Sequence, residues 1–399
     1  MVRSSIEAAD SCDVMVVGAG LAGLAAAIGF ARAGRRVISA GATERLDQGR
    51  TVALLGPSVD FLQELGVWPR IETRATPMRG LRIVDDTGSL FAPPPVEFQA
   101  REIGREVFGW NVENATLAEA LEAAAGAQPN VTRIAANAVA FDFARQRATA
   151  TLADGRAFAA GLVVGADGRA SPSRRAAGID VRVHRYAQSA VTVILAHARP
   201  HDGVSTEFHT RQGPFTLVPL PAAPGAPHRS SLVWAMGEAE AKRRFALDDA
   251  ALAAEIERQA RAMLGAMRIE SERGAFPLAR QSVRRLVATR LALVGDAAHA
   301  FPPIGAQGLN LGLRDVQALI GATSAGDDPG AEAALEAYAR SRAADVLLRT
   351  AAVAALNRSL IADSPPVDLA RGLGLLALAA IGPLRRATMR EGIAPMFAR

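Results

Sequence analysis

The sequence has a single cysteine, Cys12, and a single lysine, Lys242, among its 399 residues. One cysteine excludes an internal disulfide, as is typical of proteins that fold in a reducing compartment. Aromatic residues make up only 5% of the chain, and no basic block with interleaved aromatic residues occurs, which argues against nucleic-acid binding. The net charge of +5 comes almost entirely from arginine. With the abundant alanine, this indicates a genomic composition bias.

The sequence also lacks the common motifs of catalysis by side chains alone. It has no CxxC pair for disulfide exchange and no GxSxG nucleophile elbow, and its six histidines are too scattered to form a metal-ligand pattern. If the protein is an enzyme, a cofactor must therefore carry the chemical step that these side-chain motifs would otherwise perform. Half of the residues are hydrophobic, so the chain can bury one large core and a second smaller one.

Residues 13–37 read DVMVVGAGLAGLAAAIGFARAGRRV, a short apolar strand, a GxGxxG motif and an alanine-rich helix. This is the setting of a dinucleotide-binding fingerprint. Gly18 allows a tight turn, Gly20 lets a pyrophosphate approach the backbone, and Gly23 lets the helix pack on the strand. The alternative is a secretory or membrane segment, which the glycine spacing and the few basic residues ahead of it disfavour.

A second segment, residues 291–319, reads LALVGDAAHAFPPIGAQGLNLGLRDVQAL. An apolar strand ends at Gly295 and Asp296, a loop rich in proline and glycine follows, and a helix is predicted from about Leu309. An ordinary connection between a strand and a helix is one interpretation. A flavin site is the other, because the composition of the loop suits a flat, polar ring.

The residues of this loop have distinct uses in a flavin site. Asp296, at the end of a strand, can accept hydrogen bonds from ribityl hydroxyls, whereas Gly305 and Gly308 let backbone approach the ring without a Cβ atom between them. The N–H groups of Leu309 and Asn310, at a helix start, carry partial positive charge that suits negative charge on a reduced flavin.

A third segment, residues 160–179, reads AGLVVGADGRASPSRRAAGI and lies between the other two. A hydrophobic strand again ends in Gly165, Asp167 and Gly168. Asp167 at this position could organise the pyrophosphate-binding loops or contact an incoming nicotinamide cofactor. The alternative is a plain Asp-Gly turn, and the place of the segment between the other two motifs favours the functional interpretation.

In this order, GAGLAG, VVGADGRASPSR and LVGDAAHAFPPIGAQGLNLGLRDV resemble the three sequence blocks of the single-component flavoprotein aromatic hydroxylases, whose prototype is para-hydroxybenzoate hydroxylase. The resemblance spans nearly the whole chain. Four shorter stretches narrow it to the ubiquinone-biosynthesis branch: LGVW at 65–68, WNVENATL at 110–117, YAQSA at 186–190 and AQGLNLGLRDV at 306–316. GAQGLNLGLRDV is quite specific, whereas GxGxxG is shared with many unrelated flavoproteins.

The resemblance implies FAD as the cofactor and assigns the residues that bind it. Arg50 matches the family's arginine near the FAD phosphates, with a solvated surface charge as the alternative, and Asn114 matches a side-chain amide before a helix. The full set is Gly18, Gly20, Gly23, Arg50, Asn114, Asp167, Gly295, Asp296, Gly308, Leu309 and Asn310. No metal site is expected.

The sequence departs from the fingerprint at Gly41. An acidic residue that binds the adenosine ribose is expected there, about 20 residues past the glycines. The segment reads VISAGATERL, so Glu44, backbone groups or water would have to replace that acid.

The resemblance also implies a reaction. NADH or NADPH reduces the flavin, dioxygen adds to it, and the resulting C4a-peroxyflavin delivers one oxygen atom to a phenolic ring; the branch implies a polyprenylated phenol of ubiquinone biosynthesis. The alternatives are hydroxylation of a soluble phenolic compound and a non-catalytic flavoprotein scaffold of a biosynthetic complex. Tyr186 and His209 are weak candidates to hydrogen-bond the phenol, and packing residues are their more common role.

The motifs predict an α/β fold with a Rossmann-like FAD-binding domain, a smaller sheet-based substrate domain and a helical C-terminal tail. Alternating and β-branched stretches such as SAVTVILAHA mark the sheet. The predicted boundaries are residues 1–75, 99–179 and 276–345 for the first domain, 76–98 and 180–275 for the second, and 346–399 for the tail.

Residues 369–390 in this tail, LARGLGLLALAAIGPLRRATMR, join a short apolar run to arginines. The run is too short for a bilayer span. It suits a buried or oligomer-forming helix, or one that lies on an anionic membrane surface. The expected location is therefore the cytoplasm, with peripheral contact to the inner membrane and association with biosynthetic proteins left open.

Overall fold

The computed structural model describes residues 11–42, 49–302, 307–362 and 364–393. Strands and helices are numbered in chain order within these ranges. Glu44 and Gly305, both considered above, lie outside the described residues.

The first sheet carries the three glycine-rich segments. Over the described residues it consists of β1 (Ser11–Val17), β2 (Val37–Ala40), β8 (Val131–Ile134), β9 (Ala138–Phe143), β10 (Ala148–Leu152), β11 (Ala157–Gly165), β18 (Val287–Ala288) and β19 (Leu291–Leu293). Strands β19, β11, β1, β2 and β8 run parallel in this order, and β18, β10 and β9 extend the sheet through antiparallel pairs. The loops that follow β1, β11 and β19 therefore leave from the same edge of the sheet.

Both faces of the parallel strands are buried, as in doubly covered α/β sheets. Val14 and Val16 of β1 pack towards α1 (Leu21–Arg32), α3 (Asn114–Gly126) and α7 (Gln307–Thr323). Met15 and Val17 point to the opposite face, where they pack with the β9–β10 hairpin. This two-sided burial explains why β1 reads as a continuous apolar run and not as an alternating one.

The second sheet covers the region predicted as the substrate domain. Its described strands are β5 (Gly80–Asp85), β6 (Val96–Gln99), β12 (Val181–His197), β13 (Val204–Thr210), β14 (Gly213–Leu220), β15 (Arg229–Gly237), β16 (Met267–Ile269), β17 (Gly274–Val283) and β20 (His299–Ala300). The order is β20, β17, β12, β15, β14, β13, β5 and β6, with β16 beside β12. Because β20 follows β19 directly in the chain, this sheet reaches the loop of the predicted flavin site.

Helices α5 (Glu238–Phe245) and α6 (Asp249–Gln259) pack on the second sheet. Phe208, Phe215 and Trp234 form the centre of this core, with edge-to-face ring centroids 5.6 and 5.0 Å apart. A third sheet of β3 (Thr51–Leu55), β7 (Gly109–Glu113) and β4 (Thr76–Met78) completes the described strands, with α2 (Gly56–Glu64) and α4 (Pro172–Ala176) among the connections.

The tail is helical, as predicted, and comprises α8 (Glu332–Ile361), α9 (Pro365–Ala380) and α10 (Gly382–Ile393). Pro365, Pro366 and Pro383 lie in the first turns of α9 and α10, where a missing N–H costs no helical hydrogen bond. The predicted α/β class is thereby confirmed.

The division into domains stays a prediction, but three of its boundaries fall inside elements. The boundary at 98/99 cuts β6, that at 275/276 cuts β17, and that at 345/346 cuts α8. No turn marks these positions. β17 continues through Pro277 and pairs with β12 on both sides of this proline, and α8 runs for 30 residues without a break. The helix expected from Leu309 begins earlier, at Gln307.

Candidate functional site

The three glycines of the fingerprint have different surroundings. Gly18 follows β1 with a φ of +110°, and a Cβ atom there would lie 2.2 Å from the carbonyl oxygen of Ala166. A Cβ at Gly23 would lie 2.0 Å from the oxygen of Gly18. At Gly20 a Cβ would meet no atom within 4 Å, and α1 begins behind it without a side-chain cap. The first amides of α1 therefore face open space, as a pyrophosphate site requires.

The loops after β1, β11 and β19 touch one another. Gly18 contacts Ala166, which follows β11, and a Cβ at Gly295 would lie 3.3 Å from the Cβ of Ala22 in α1. Gly295 has a φ of +58°, and a Cβ on Gly312 of α7 would lie 3.1 Å from its Cα atom. Three segments that are remote in sequence thus form one continuous edge.

Asp296 lies in a single 3-10 turn, Gly295–Ala297, directly after β19. Among the described residues its short-range charged neighbour is Arg169, with Nε 3.6 Å from Oδ2, and 49% of the Asp296 side chain is open to solvent. Desolvation by the surrounding protein atoms raises the pKa of this carboxyl, and Arg169, His299 and Arg50 oppose that shift. The carboxylate is accessible to hydroxyl donors at the edge where the three loops meet.

The first turn of α7 presents backbone towards the same region. A Cβ at Gly308 would meet no atom within 4 Å. The side chain of Asn310 ties this turn to β3: Nδ2 donates to the oxygen of Ala53 at 2.7 Å, and Oδ1 accepts from the N–H of Leu55 at 2.9 Å. The amide side chain of Asn310 therefore fixes the two elements together, while the first-turn N–H groups of α7 give the local positive end of a helix.

Arg50 and Asn114 flank the third sheet. The guanidinium carbon of Arg50 lies 5.2 Å from the ring centroid of Phe276, and Arg50 lines a cavity of about 760 Å³ with Glu113 and Arg229. Asn114 opens α3, and its Oδ1 atom is buried without a hydrogen-bond partner in the described part of the chain. Because such a buried oxygen costs free energy when unsatisfied, this atom has capacity for a donor from a ligand.

Both carboxylate oxygens of Asp167 bind within its own loop. Oδ1 accepts from the Ser171 hydroxyl at 2.5 Å, and Oδ2 accepts from the N–H of Ser173 at 2.9 Å, at the start of α4. The preceding residue, Ala166, forms the contact with Gly18. Asp167 thus holds the loop that supports the fingerprint turn, and a direct contact with a cofactor stays a prediction.

The backbone gives a physical reason for the glycine at position 41. A Cβ at Gly41 would lie 2.6 Å from the nitrogen and 3.0 Å from the Cβ of Ala19, and the Gly41 N–H donates to the oxygen of Ile134 at 3.0 Å. An acidic side chain does not fit beside Ala19 in this conformation. Ribose recognition therefore depends on other groups, and Glu44 lies outside the described residues.

A buried charged network supports the loop after β19 from behind. Asp315 of α7 is fully buried; its Oδ2 accepts from the N–H of Gly295 at 3.1 Å and lies 2.7 Å from Nε2 of His299. Its Oδ1 accepts from Nε of Arg342 at 2.8 Å. Burial alone would raise the pKa of Asp315, but His299 and Arg342 outweigh it and hold that pKa below its usual value of 3.8. The ionised Asp315 thereby anchors Gly295.

The network continues along the buried face of α8. Arg342 Nη1 lies 2.8 Å from Oδ2 of Asp345, which also pairs with Arg314 and Arg349 at 3.3 and 3.4 Å. Arg349 donates to Oε1 of Gln307, the first residue of α7, at 3.1 Å. These residues were missed in the sequence. The sequence feature that indicates them is the i, i+3, i+7 spacing of Arg342, Asp345 and Arg349, which places three charges on one face of a helix otherwise rich in alanine and leucine.

The two candidate phenol-binding side chains lie far apart. Tyr186 is half-buried where the pairing of β12 with β17 is irregular, and its ring lies edge-on to His184 at 4.7 Å. His209 is buried on β13, with Nε2 2.8 Å from Oε1 of Glu207. Strands β15 and β14 separate their strands, which corresponds to about 14 Å at the usual strand spacing. The two side chains cannot share one phenol hydroxyl, and both roles stay predictions.

The residues present fit FAD. The uncapped start of α1 beside Gly20 suits a pyrophosphate, the accessible Asp296 carboxylate suits hydroxyl groups, and the open backbone at Gly308 suits a flat ring. The unsatisfied Oδ1 of Asn114 adds an acceptor that has no partner among the described residues. Arg50 lines the cavity of about 760 Å³ described above.

The FAD binding domain family matches residues 11–350 of the chain. The chain is 36% identical over 398 residues to the ubiquinone hydroxylase UbiL of Rhodospirillum rubrum, covering 96% of this chain and 89% of that protein. It is 32% identical over 395 residues to the 3-demethoxyubiquinol 3-hydroxylase of Escherichia coli K12, covering 96% and 98% of the two chains.

Two solved structures share the fold. The p-nitrophenol 4-monooxygenase PnpA of Pseudomonas putida DLL-E4 superposes with a TM-score of 0.78 at 18% identity, covering 96% of this chain and 98% of that one. PqsL of Pseudomonas aeruginosa, described as a probable FAD-dependent monooxygenase, gives 0.73 at 21% identity, covering 91% of this chain and all of that one. At sequence identities of 18% and 21%, these two comparisons show a shared fold and do not assign a reaction.

Proposed function

The chain belongs to the FAD binding domain family, and from that premise we propose that this FAD-dependent monooxygenase hydroxylates the aromatic ring of a polyprenylated phenol in ubiquinone biosynthesis. The observation that carries the proposal is the meeting of three loops at one edge of the parallel sheet, around Gly18, Ala166 and Gly295. Full-length relatives named for ubiquinone hydroxylation support the choice of substrate class.

When bound, FAD supplies the redox chemistry, taking electrons from NADH or NADPH and activating dioxygen. The chain's own residues supply binding and orientation. The open N-terminus of α1 at Gly20 would hold the pyrophosphate, the Asp296 carboxylate would accept from ribityl hydroxyls, and the first-turn N–H groups of α7 would interact with the ring.

Orientation depends on how rigidly these groups are held. Asn310 bonds two backbone groups of β3, and Asp315 fixes the N–H of Gly295 next to Asp296. A displacement of about 1 Å at a reacting group can cost about 100-fold in rate. The buried network behind the loop therefore serves the chemistry without touching the substrate.

The proposed overall reaction is balanced. A phenol, dioxygen, NAD(P)H and one proton give the hydroxylated phenol, water and NAD(P)+. One oxygen atom enters the ring in place of hydrogen, and the other is reduced to water by the two electrons of the nicotinamide cofactor. The proposed place of action is the cytoplasm at the membrane, because a polyprenylated substrate dissolves in lipid.

A deletion of the gene tests the substrate class in the cell. We expect the deletion strain to lack the mature quinone and to accumulate a polyprenylated phenol that is missing one ring hydroxyl, both measured by mass spectrometry of lipid extracts. Complementation by the intact gene is the control. Normal quinone content would point instead to a soluble phenolic substrate, and quinone restored by a flavin-free variant would point to a scaffold.

The role of Asp296 is tested by flavin retention. Asp296→Ala removes the acceptor and should lower the FAD content of the purified protein and raise the dissociation constant for FAD about tenfold, the cost of roughly one charge-assisted hydrogen bond. Glu336→Gln, an exposed change on α8, is the control. Unchanged FAD occupancy in Asp296→Ala would show that the carboxylate has another role.

A further inference from the structure

An exposed apolar face runs along the C-terminal helices. Leu369, Leu373 and Leu376 of α9 are exposed and follow the i, i+4, i+7 spacing that places side chains on one helix face. Ile381 and Leu384 continue the exposed apolar residues across the break into α10. Single exposed leucines are ordinary in soluble proteins, but a contiguous set marks an interaction site.

A loop between β5 and β6 adds to this face. Leu90 is 98% exposed and Phe91 is 46% exposed. The loop packs on α9, because a Cβ at Gly372 would lie 2.3 Å from the oxygen of Phe91. We call the seven residues together the apolar tail surface; they are Leu90, Phe91, Leu369, Leu373, Leu376, Ile381 and Leu384.

Ion pairs on the inner side hold the helices with their apolar side outward. Arg371 of α9 pairs with Asp85 of β5 at 2.9 Å and with Asp368 at 2.9 Å, and all three side chains are buried. In α10, Arg385 pairs with Glu102 at 2.5 Å. These pairs, together with a buried apolar cluster on the same inner side, fix the helices to the protein, so the outward leucines belong to the folded arrangement.

The exposed charges beside this surface are positive. Arg386 and Arg390 of α10 are exposed and form no ion pair within the described part of the chain. The acidic residues of α9 and α10 are Asp368, which is buried in the pairs above, and Glu391, which is half-buried. An apolar surface with a basic rim is complementary to a bilayer with anionic headgroups.

We propose that the apolar tail surface docks on an anionic lipid bilayer and so places the active site against the membrane that holds its substrate. This inference rests on the proposed function for its lipid substrate. No single helix among the described residues has the length and hydropathy to cross a bilayer, and α9 and α10 meet that criterion as a pair bent by 101°. Two helices joined at such a bend can both lie in the headgroup region of one leaflet. Helix pairing with a second copy of the chain instead favours a straight apolar stripe along one helix.

Sedimentation of the FAD-loaded protein with vesicles tests this docking. We expect the wild type to bind vesicles of phosphatidylcholine and phosphatidylglycerol at about 0.15 M salt, with weaker binding as salt rises. The triple variant Leu369→Gln, Leu373→Gln and Leu376→Gln should lower the partition coefficient at least about tenfold. Phe245→Gln removes an equally exposed apolar side chain from α5 and should leave it unchanged.

Neutralising Arg386 and Arg390 measures how much the basic rim contributes to vesicle binding. Arg386→Gln with Arg390→Gln should weaken binding to the anionic vesicles by about fivefold for each charge and leave binding to pure phosphatidylcholine unchanged. Far-ultraviolet circular dichroism and FAD content confirm that each variant is folded. No binding of the wild type to anionic vesicles, or equal binding of the triple leucine variant, would overturn the proposal.

Two further readouts identify other outcomes. A wild-type dimer in light scattering that the triple leucine variant converts to a monomer, with vesicle binding unchanged, would assign the surface to a second copy and overturn the proposal. Turnover of a short-chain phenol in detergent-free solution should be equal in wild type and triple variant. Vesicle binding without any phenol oxidation would refute the proposed function and leave the docking intact.

Discussion

Replacing Asp315 by asparagine should destabilise the protein strongly while changing almost no volume. The buried cluster holds three arginines, Arg314, Arg342 and Arg349, and two aspartates, so the variant leaves three guanidinium groups with one carboxylate. Removing one partner of a buried ion pair costs about 3–5 kcal/mol. We expect about 3 kcal/mol, because the asparagine oxygen can keep the 3.1 Å bond from Gly295.

The dependence of this effect on pH follows from the lowered pKa of Asp315. A carboxyl with a lowered folded-state pKa stabilises the protein above its unfolded-state pKa, and that stabilisation is lost as pH falls through the folded-state value. The difference in unfolding free energy between wild type and Asp315→Asn should therefore be constant between about pH 5 and pH 8 and shrink below about pH 4.

Urea denaturation, followed by tryptophan fluorescence and circular dichroism, measures this difference. Glu336→Gln on α8 is the matched control, since its partner Arg340 is exposed and such pairs contribute about 0.5 kcal/mol or less. The FAD dissociation constant should also rise in Asp315→Asn, because the hydrogen bond that the Gly295 N–H donates to a neutral amide oxygen is weaker than the one it donates to a carboxylate. A difference below about 1 kcal/mol at neutral pH would refute the structural reasoning.

Three further predictions concern single positions. Gly20→Ala should leave the unfolding free energy of the flavin-free protein within about 0.5 kcal/mol and weaken FAD binding, as measured by fluorescence titration, because its Cβ would meet only open space reserved for the ligand; equal FAD affinity would contradict this. Gly41→Ala should destabilise the protein itself by about 1–3 kcal/mol through its clash with Ala19, and a neutral effect in urea denaturation would contradict this close approach of the two loops. Burial raises the pKa of Cys12 to about 12, so iodoacetamide at about pH 8 should label this thiol only after unfolding; rapid labelling of the native protein, seen by mass spectrometry, would show that the first strand opens.

The sequence predicted the parts of the site that local backbone geometry controls. Gly18, Gly20 and Gly23 have distinct reasons to be glycine that spacing alone suggests, and the strand ends at Asp167 and Asp296 meet because parallel strands share one carboxyl edge. The resemblance to aromatic hydroxylases added the prediction of FAD as the cofactor and of a reaction class. The match to the FAD binding domain family supports the cofactor.

The parts that depend on long-range packing could not be predicted. Asp315 and Arg342 are separated by 27 positions and meet only because α8 packs on α7. The spacing of charges on α8 indicates a shared face, but it does not say that this face is buried. In the same way, the unusual Gly41 follows from its approach to Ala19, a contact between two loops that motif spacing does not report.

Turnover with isotopically labelled oxygen tests the central claim most directly. The FAD-loaded protein is reduced by NADH or NADPH without oxygen and is then mixed with ¹⁸O₂ and a short-chain polyprenyl phenol. We predict one equivalent of ring-hydroxylated product that carries a single ¹⁸O atom, with reoxidation of the flavin and oxidation of one nicotinamide per product. Flavin reoxidation that yields only hydrogen peroxide, with no labelled phenol from this or any soluble phenolic compound, would contradict the assignment as an aromatic hydroxylase.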